Sequence, residues 1–137
     1  MGGICTRLKQ ESILLDPQVQ SKEQLLRQLS SLLAEQEHIA DADQLFEDIM
    51  KHEEMGSTCL GFGCAVPHAR TDSVAQTVIA AARLASPITL DAPDGKPVSL
   101  VFLMAGPTKS AGLHLKILSK LVRLLHDDTF REQLMAA

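Results

Sequence analysis

The feature that most constrains the fold is a stretch punctuated by glycines, residues 55–70, with the sequence MGSTCLGFGCAVPHAR. Gly61 and Gly63 permit backbone conformations that residues with a side chain disfavour. The apolar residues 64–66 predict a short strand, and the proline after them should end it because proline fixes φ. We therefore expect His68 to lie where a strand gives way to a loop. A histidine held there is suited to chemistry, although an ordinary surface histidine after a proline turn gives the same pattern.

Two capped helices are predicted before this stretch. Residues 21–24, Ser-Lys-Glu-Gln, form a capping-box pattern, and the leucines that follow share one helical face, which predicts a helix over residues 21–36. A second capping signal at residues 41–44 begins another helix, which Gly56 can end. The apolar stripe of that helix, typical of a core face, consists of Leu45, Phe46, Ile49 and Met50.

The rest of the chain alternates between strand and helix patterns. Extended segments are predicted at residues 12–17 (an edge strand), 74–84, 87–90 and 98–104. The last of these is almost continuously apolar, which suits a central strand buried on both faces. A turn is predicted at residues 91–95, and helices at residues 113–125 and 127–135. Because helices lie before, between and after the strands, we predict an α/β fold, a single domain over residues 1–137 with helices packed on one sheet.

A second histidine of interest, His114, is predicted in the first turn of the helix over residues 113–125. It shares a helical face with Leu118, Leu121 and Leu125, so it should point toward the body of the protein. The positive end of the helix dipole disfavours a charged imidazole there and leaves N–H groups suited to an anion. A neutral imidazole can still donate one hydrogen bond to such an anion. The alternative is a core histidine capped by a backbone carbonyl.

Two segments carry a resemblance to a known family. The pattern Gly-Ser-Thr-x-x-Gly-x-Gly-x-Ala-x-Pro-His at residues 56–68 resembles the active-site signature of fructose/mannitol-type enzyme IIA proteins. These are phosphocarriers of the bacterial phosphoenolpyruvate-dependent sugar phosphotransferase system. The pattern His-Leu-x-x-Leu-x-x-Leu at residues 114–121 resembles a second active-site segment of that family. The resemblance covers nearly the whole chain and implies a mixed β-sheet of about five strands with helices on its faces.

The resemblance implies a role for each of five residues. His68 would accept a phosphoryl group from the histidine-containing phosphocarrier protein HPr and pass it to a cysteine of an enzyme IIB domain. His114 and Thr58 would steady the phosphoryl oxygens, and Arg70 stands where the family often has a basic residue. His52 is a departure, because the family usually has arginine there. Arginine is charged at every working pH, whereas histidine side chains gain and lose their charge near neutral pH.

Two other interpretations remain open at this point. Nitrogen-related enzyme IIA proteins resemble the sugar proteins but act as regulators, and residues 118–125 and 130–134 favour the fructose branch over them. A metal site made of Cys59, Cys64 and His68 is the second alternative, but the spacing fits no standard zinc pattern and a fourth ligand is missing. Small buried thiols are the simpler interpretation, and we expect neither a metal nor another cofactor. His38 and His126 lie in polar surroundings and should be solvated.

Composition argues against several other classes of function. The chain has four Phe and neither Trp nor Tyr, whereas many nucleic-acid modules stack bases on aromatic side chains. Its formal net charge of -4 also argues against a polyanionic partner. No run approaches the ~20 apolar residues of a membrane span, no secretory signal is recognisable, and three cysteines fit a reducing compartment. We therefore expect a cytoplasmic protein, and the resemblance implies that any association with a membrane enzyme IIC passes through enzyme IIB.

Overall fold

The computed structural model describes residues 8–55, 58–89 and 95–136. The strands in this part of the chain are β1 (Leu8–Leu15), β2 (Cys59–Gly61), β3 (Cys64–Ala65), β4 (His68–Arg70), β5 (Val78–Ile88) and β6 (Val98–Gly106). The α-helices are α1 (Lys22–Gln36), α2 (Ala42–Glu54), α3 (Ala111–Leu125) and α4 (Asp128–Ala136), with a 3-10 turn at Thr108–Ser110 before α3. The predicted α/β class is confirmed, with six strands in the described sheet rather than about five.

The sheet is mixed and centres on β6. Its strand order is β1-β5-β6-β3-β2, with β4 paired beside β3 along the same edge of β6. β1 runs parallel to β5, β5 runs antiparallel to β6, and β3 and β4 run parallel to β6. β1 is therefore an edge strand, as predicted.

Side chains of β6 alternate between two apolar layers, one on each face of the sheet. Val101, Leu103 and Ala105 join the cluster formed with α1 and α2. Leu100, Phe102 and Met104 join the cluster formed with α3. These six residues are buried, which confirms a central strand covered on both faces. The alternation also fixes which residues of the sheet face α3, where one of the predicted histidines lies.

Both predicted helix caps form. The Ser21 hydroxyl accepts a hydrogen bond from the Gln24 amide at 3.2 Å, and the Asp41 carboxylate accepts one from the Gln44 amide at 3.0 Å. The predicted apolar stripe of α2 packs inward, with Leu45, Phe46 and Ile49 buried and Met50 partly buried against them. α2 ends at Glu54, and Gly56, which we expected to end it, lies outside the described residues.

Two predicted extended segments form a single strand. Residues 78–88 make up β5, so the separate strands expected at residues 74–84 and 87–90 are wrong in their bounds. The pairing with β6 becomes irregular between Arg83 and Ile88, and Pro87 lies in that irregular part. A proline is tolerated there because the regular ladder does not require its missing N–H. Of the turn predicted at residues 91–95, only the last residue is described.

Pro67 separates two short strands, β3 and β4, that pair with the same edge of β6, and β4 replaces the loop that we expected at His68. β3 pairs with Leu100 and Val101 of β6, and β4 resumes the same parallel pairing with His68 opposite Met104. At the break, the carbonyl of Pro67 still accepts a hydrogen bond from the Met104 amide at 2.9 Å. His68 is thus the first residue of a strand, and its backbone is fixed by the sheet.

The remaining sequence expectations concern solvation and the membrane. His38 and His126 are exposed, as predicted, and the ring of His126 also contacts Phe62 edge-on at 5.3 Å between centroids. Among the described helices, none combines the length and apolar character needed to cross a bilayer.

Candidate active site

A single hydrogen bond orients the ring of His68. Its Nδ1 lies 2.7 Å from the backbone carbonyl oxygen of Val66. A carbonyl oxygen can only accept, so Nδ1 carries the proton and donates it to this bond. In the neutral ring the lone pair is therefore on Nε2, which is the nucleophilic nitrogen.

The surroundings of His68 favour that neutral form. Burial lowers the pKa of His68 below its ordinary value of 6.5, and a positive charge on His52 would act in the same direction. The hydrogen bond to Val66 and the charge of Glu53 oppose this shift of the pKa without cancelling it. At neutral pH the ring therefore keeps the lone pair that a nucleophile needs.

Two imidazole rings, those of His52 and His114, lie close to the ring of His68. The centroid of His68 lies 4.5 Å from that of His52 and 5.7 Å from that of His114. His52 comes from the last turn of α2 and His114 from the first turn of α3, so the two helix ends converge on the start of β4. The Nδ1 atoms of His52 and His114 are buried and have no hydrogen-bond partner among the described residues.

His114 is buried, as its helical face predicted, with 5% of its surface exposed. Burial is the main reason that the pKa of His114 is lowered from 6.5 to about 4, and the nearby His68, Arg70 and His52 add to the effect. The expected neutral imidazole is confirmed, but its leading cause is burial rather than the helix dipole that the sequence suggested. Among the described residues no backbone carbonyl accepts a hydrogen bond from Nδ1 of His114, which argues against the alternative of a capped core histidine.

Arg70 lies on the same side of the site as the histidines. It is exposed, two residues after His68 on β4, and lines a cleft of about 480 Å³ with all three rings. Leu115 of α3, which is 63% exposed, also lines this cleft. A permanent positive charge and several ring nitrogens around one cleft suit a small multivalent anion.

Thr58 lies beside this cleft, but its hydroxyl is directed elsewhere. Its backbone amide and its Oγ1 both donate to the carboxylate of Glu53, at 3.1 and 2.7 Å. Thr58 still lines a neighbouring cleft of about 430 Å³ together with His52 and His68. The hydroxyl proton is therefore donated to Glu53, so Oγ1 can take part in further hydrogen bonds only as an acceptor.

Glu53 is the residue of this region that sequence reasoning did not single out. It is buried, with 7% of its surface exposed. Its carboxylate forms an ion pair with Lys22 of α1 at 3.2 Å and also accepts the two hydrogen bonds from Thr58. Its position directly after His52 and five residues before Thr58 was the available signal. The partner Lys22 could not be read from the sequence, because it belongs to a different helix.

The alternative metal site does not assemble in the described part of the chain. No group of three or more His, Cys, Asp or Glu side chains there is placed to hold an ion. Burial also raises the pKa of the Cys64 thiol to about 11, which opposes the thiolate form that metals bind. The chemistry of this region therefore centres on the imidazoles.

The residues of this site lie within a match to a known protein family. The family model described as "Phosphoenolpyruvate-dependent sugar phosphotransferase system, EIIA 2" matches residues 6–137. The chain belongs to this family. EIIA type-2 proteins are phosphotransferase components, and the matched residues include all three histidines of this site.

Individual members of the family carry different names. The chain is 35% identical to the "PTS system fructose-specific EIIA component" of Haloferax volcanii over 127 residues, which is 93% of this chain and 82% of the relative. Its sequence is 39% identical to that of nitrogen regulatory protein IIA-Ntr from Neisseria meningitidis. The crystal structure of that protein superposes on this chain with a TM-score of 0.89, and the match covers 95% of this chain and 88% of that one.

A third neighbour shares the EIIA fold at lower identity. It comes from the solved complex of enzyme IIAMtl with phosphorylated enzyme IIBMtl from Escherichia coli. The sequence identity is 20% and the TM-score is 0.74. The match covers 89% of this chain and 85% of that one.

Proposed function

We propose that the chain is a phosphocarrier that holds a phosphoryl group on Nε2 of His68. The observation that carries the proposal is the hydrogen bond from Nδ1 to the carbonyl of Val66, because it leaves the other nitrogen free and fixes the direction of its lone pair. A carrier of this kind needs little more than a fixed nucleophile, groups that stabilise the phosphoryl oxygens, and access for two proteins.

The transfer step uses the neutral ring. Nε2 of His68 attacks the phosphorus of a phosphohistidine donor, the new N–P bond forms, and the bond to the donor nitrogen breaks with its electron pair remaining on the donor. The proton on Nδ1 stays on the ring, where the Val66 carbonyl accepts its hydrogen bond and stabilises the charge that develops. The lowered pKa of His68 supports this step because protonation would remove the lone pair.

The flanking groups would stabilise the phosphoryl oxygens. His114, kept neutral by burial, can donate one hydrogen bond, and Arg70 supplies a permanent positive charge in the same cleft. His52, whose ring centroid lies 4.5 Å from that of His68, can donate from its ring in place of the arginine that the family usually has. Thr58 would act indirectly, since its hydroxyl proton is donated to Glu53 and this bond holds the backbone beside the cleft.

The partners that fit this chemistry are HPr as donor and a cysteine of an enzyme IIB domain as acceptor. The solved complex of a mannitol enzyme IIA with its phosphorylated enzyme IIB supports the second of these. The surface around His68 is also suited to protein contact, since Met55 and Leu115 are 82% and 63% exposed beside the two clefts. Any association with a membrane enzyme IIC would then pass through enzyme IIB.

A regulatory role is the second candidate, and one observation favours it. The nitrogen regulatory protein from Neisseria meningitidis is 39% identical, whereas the mannitol enzyme IIA in the solved complex is 20% identical. The preference for the fructose branch, based on residues 118–125 and 130–134, remains a prediction. A pull-down with the phosphorylated and unphosphorylated chain separates the roles: a sugar carrier should capture an enzyme IIB domain, and a regulator should capture a kinase or a channel.

Phosphorylation at His68 is tested by incubating the chain with phosphoenolpyruvate, enzyme I and HPr. One phosphate should be added, labile in acid and stable in alkali, and ³¹P–¹⁵N NMR should place it on Nε2. His68→Ala should take up none, whereas His126→Ala, at an exposed histidine outside the cleft, should match the parent. Uptake by His68→Ala would show that the acceptor is another residue, and phosphate on Nδ1 would contradict the role given to Val66.

A further inference from the structure

Gly106, the last residue of β6, lies against the first turn of α3. In the sheet it is paired with Arg70 of β4. Alternate residues of β6 face α3, as Phe102 and Met104 do, so position 106 faces α3 as well. The residue of α3 that it meets is His114. Its backbone φ lies outside the left-handed region, so the conformation of the chain does not require glycine here.

The space beside Gly106 is already filled. A Cβ at this position would lie 2.9 Å from Nδ1 of His114 and 2.9 Å from Oγ1 of Thr77. Non-bonded carbon atoms rest at about 3.5–4.0 Å from their neighbours, so one methyl group would overlap both. His114 and Thr77 are 5% and 2% exposed, so both are packed on their other sides as well. What requires glycine at this position is therefore side-chain packing, and the imidazole is one of the two groups concerned.

We infer that Gly106 is a positioning residue for His114: the missing side chain at the end of β6 lets the Nδ1 edge of the imidazole lie against the sheet, which sets the distance from its ring to His68. The two rings are 5.7 Å apart, so a small displacement changes how His114 meets a group held on His68. The kinetic part of this inference rests on the proposed function, while the structural part does not.

Gly106→Ala tests the inference because it removes no polar group. The added methyl should move the imidazole by roughly 0.6 Å or more, the shortfall from ordinary contact, and away from the sheet toward solvent. We expect the pKa of His114, about 4 in the parent, to rise toward 6.5, as measured by NMR of the imidazole. Phosphoryl transfer through the chain should slow by about tenfold, since misplacement by 1 Å can cost about a hundredfold.

Gly112→Ala is the matched spectroscopic control. It adds the same methyl two residues before His114, where a Cβ would meet nothing within 4 Å. The titration midpoint of His114 should stay at the parent value in this variant. A midpoint that moves equally in both variants, or in neither, would overturn the inference.

The double variant Gly106→Ala/His114→Ala separates positioning from general damage. If Gly106 acts through the imidazole, adding Gly106→Ala to His114→Ala should not slow transfer further. An equal loss in both backgrounds would overturn the inference. If Gly106→Ala alone does not fold, Thr77→Ala is added to remove the other overlapping group, and the further change His114→Ala should then stabilise Gly106→Ala/Thr77→Ala. No gain in stability would exclude the imidazole as a group that requires glycine at this position. Should the parent accept no phosphate, the proposed function fails, and the NMR comparison still decides the role of Gly106.

Discussion

The burial of His114 predicts how the stability of the protein depends on pH. In the unfolded chain the imidazole has an ordinary pKa near 6.5, whereas in the folded protein its pKa is about 4. Because the unfolded chain takes up the proton more readily, acid favours unfolding. The contribution of His114 is therefore fully present above about pH 6.5 and is lost as the pH falls toward 4.

The size of the effect follows from the two pKa values. At 1.36 kcal/mol per pH unit, complete loss below pH 4 amounts to about 3 kcal/mol. Between pH 7.5 and pH 5 the same two values give a loss of about 2 kcal/mol. With a urea m-value of about 2 kcal/mol per molar, the unfolding midpoint should fall by about 1 M from this source alone.

The assay compares urea unfolding of the parent and of His114→Gln at pH 7.5 and pH 5. Glutamine does not titrate, so the difference in unfolding free energy between the two proteins should change by about 2 kcal/mol between these pH values. His68, whose pKa is lowered in the same direction, and the carboxylates are present in both proteins and cancel in this difference. His126→Gln, at an exposed ring, is the control and should give a profile parallel to that of the parent.

Parallel pH profiles for the parent and His114→Gln would refute the reasoning. They would mean that the imidazole takes up its proton equally well in the folded and unfolded chain. His114 would then not be held neutral by burial, and its proposed role as a neutral donor to a phosphoryl oxygen would lose its physical basis.

Two further predictions concern the end of α2. His52→Arg should speed transfer, because arginine places a permanent positive charge where the ring of His52 lies 4.5 Å from that of His68; equal rates for mutant and parent would show that a charge at position 52 plays no part in the reaction. Glu53→Gln should lower the unfolding free energy by about 2–3 kcal/mol, since charge-assisted bonds to Lys22 and Thr58 are lost inside the protein. Urea unfolding measures this, with the exposed Glu54→Gln expected to stay within about 0.5 kcal/mol of the parent.

Local signals in the sequence predicted the parts of the fold that depend on neighbouring residues. The caps at Ser21 and Asp41 join residues three apart, so their patterns could be read directly. The burial of His114 was also predictable, because a helical face repeats at a fixed period. These signals placed His114 in the right surroundings, whereas His68, which we expected at the start of a loop, begins a strand.

Long-range pairing decided what the sequence could not predict. Pro67 ends β3 locally, but β6 continues alongside and the parallel ladder resumes at His68. The partners of Glu53 include Lys22, 31 residues earlier, and no local pattern relates the two. The closeness of His52 to His68 likewise depends on how the end of α2 packs against β4. The sequence therefore showed that His52 departs from the family pattern, but it did not show that His52 lies next to His68.

The contact between His68 and the carbonyl of Val66 has a consequence for genetics. The acceptor is a main-chain atom, and every one of the twenty amino acids would supply it at position 66. In an alanine scan, or in any library of single substitutions, the effect measured at position 66 would therefore report only the loss of the apolar side chain and not the hydrogen bond to His68. The atom that, under the proposed function, decides which ring nitrogen reacts cannot be removed by changing a side chain, because its position depends on the path of the backbone around Pro67.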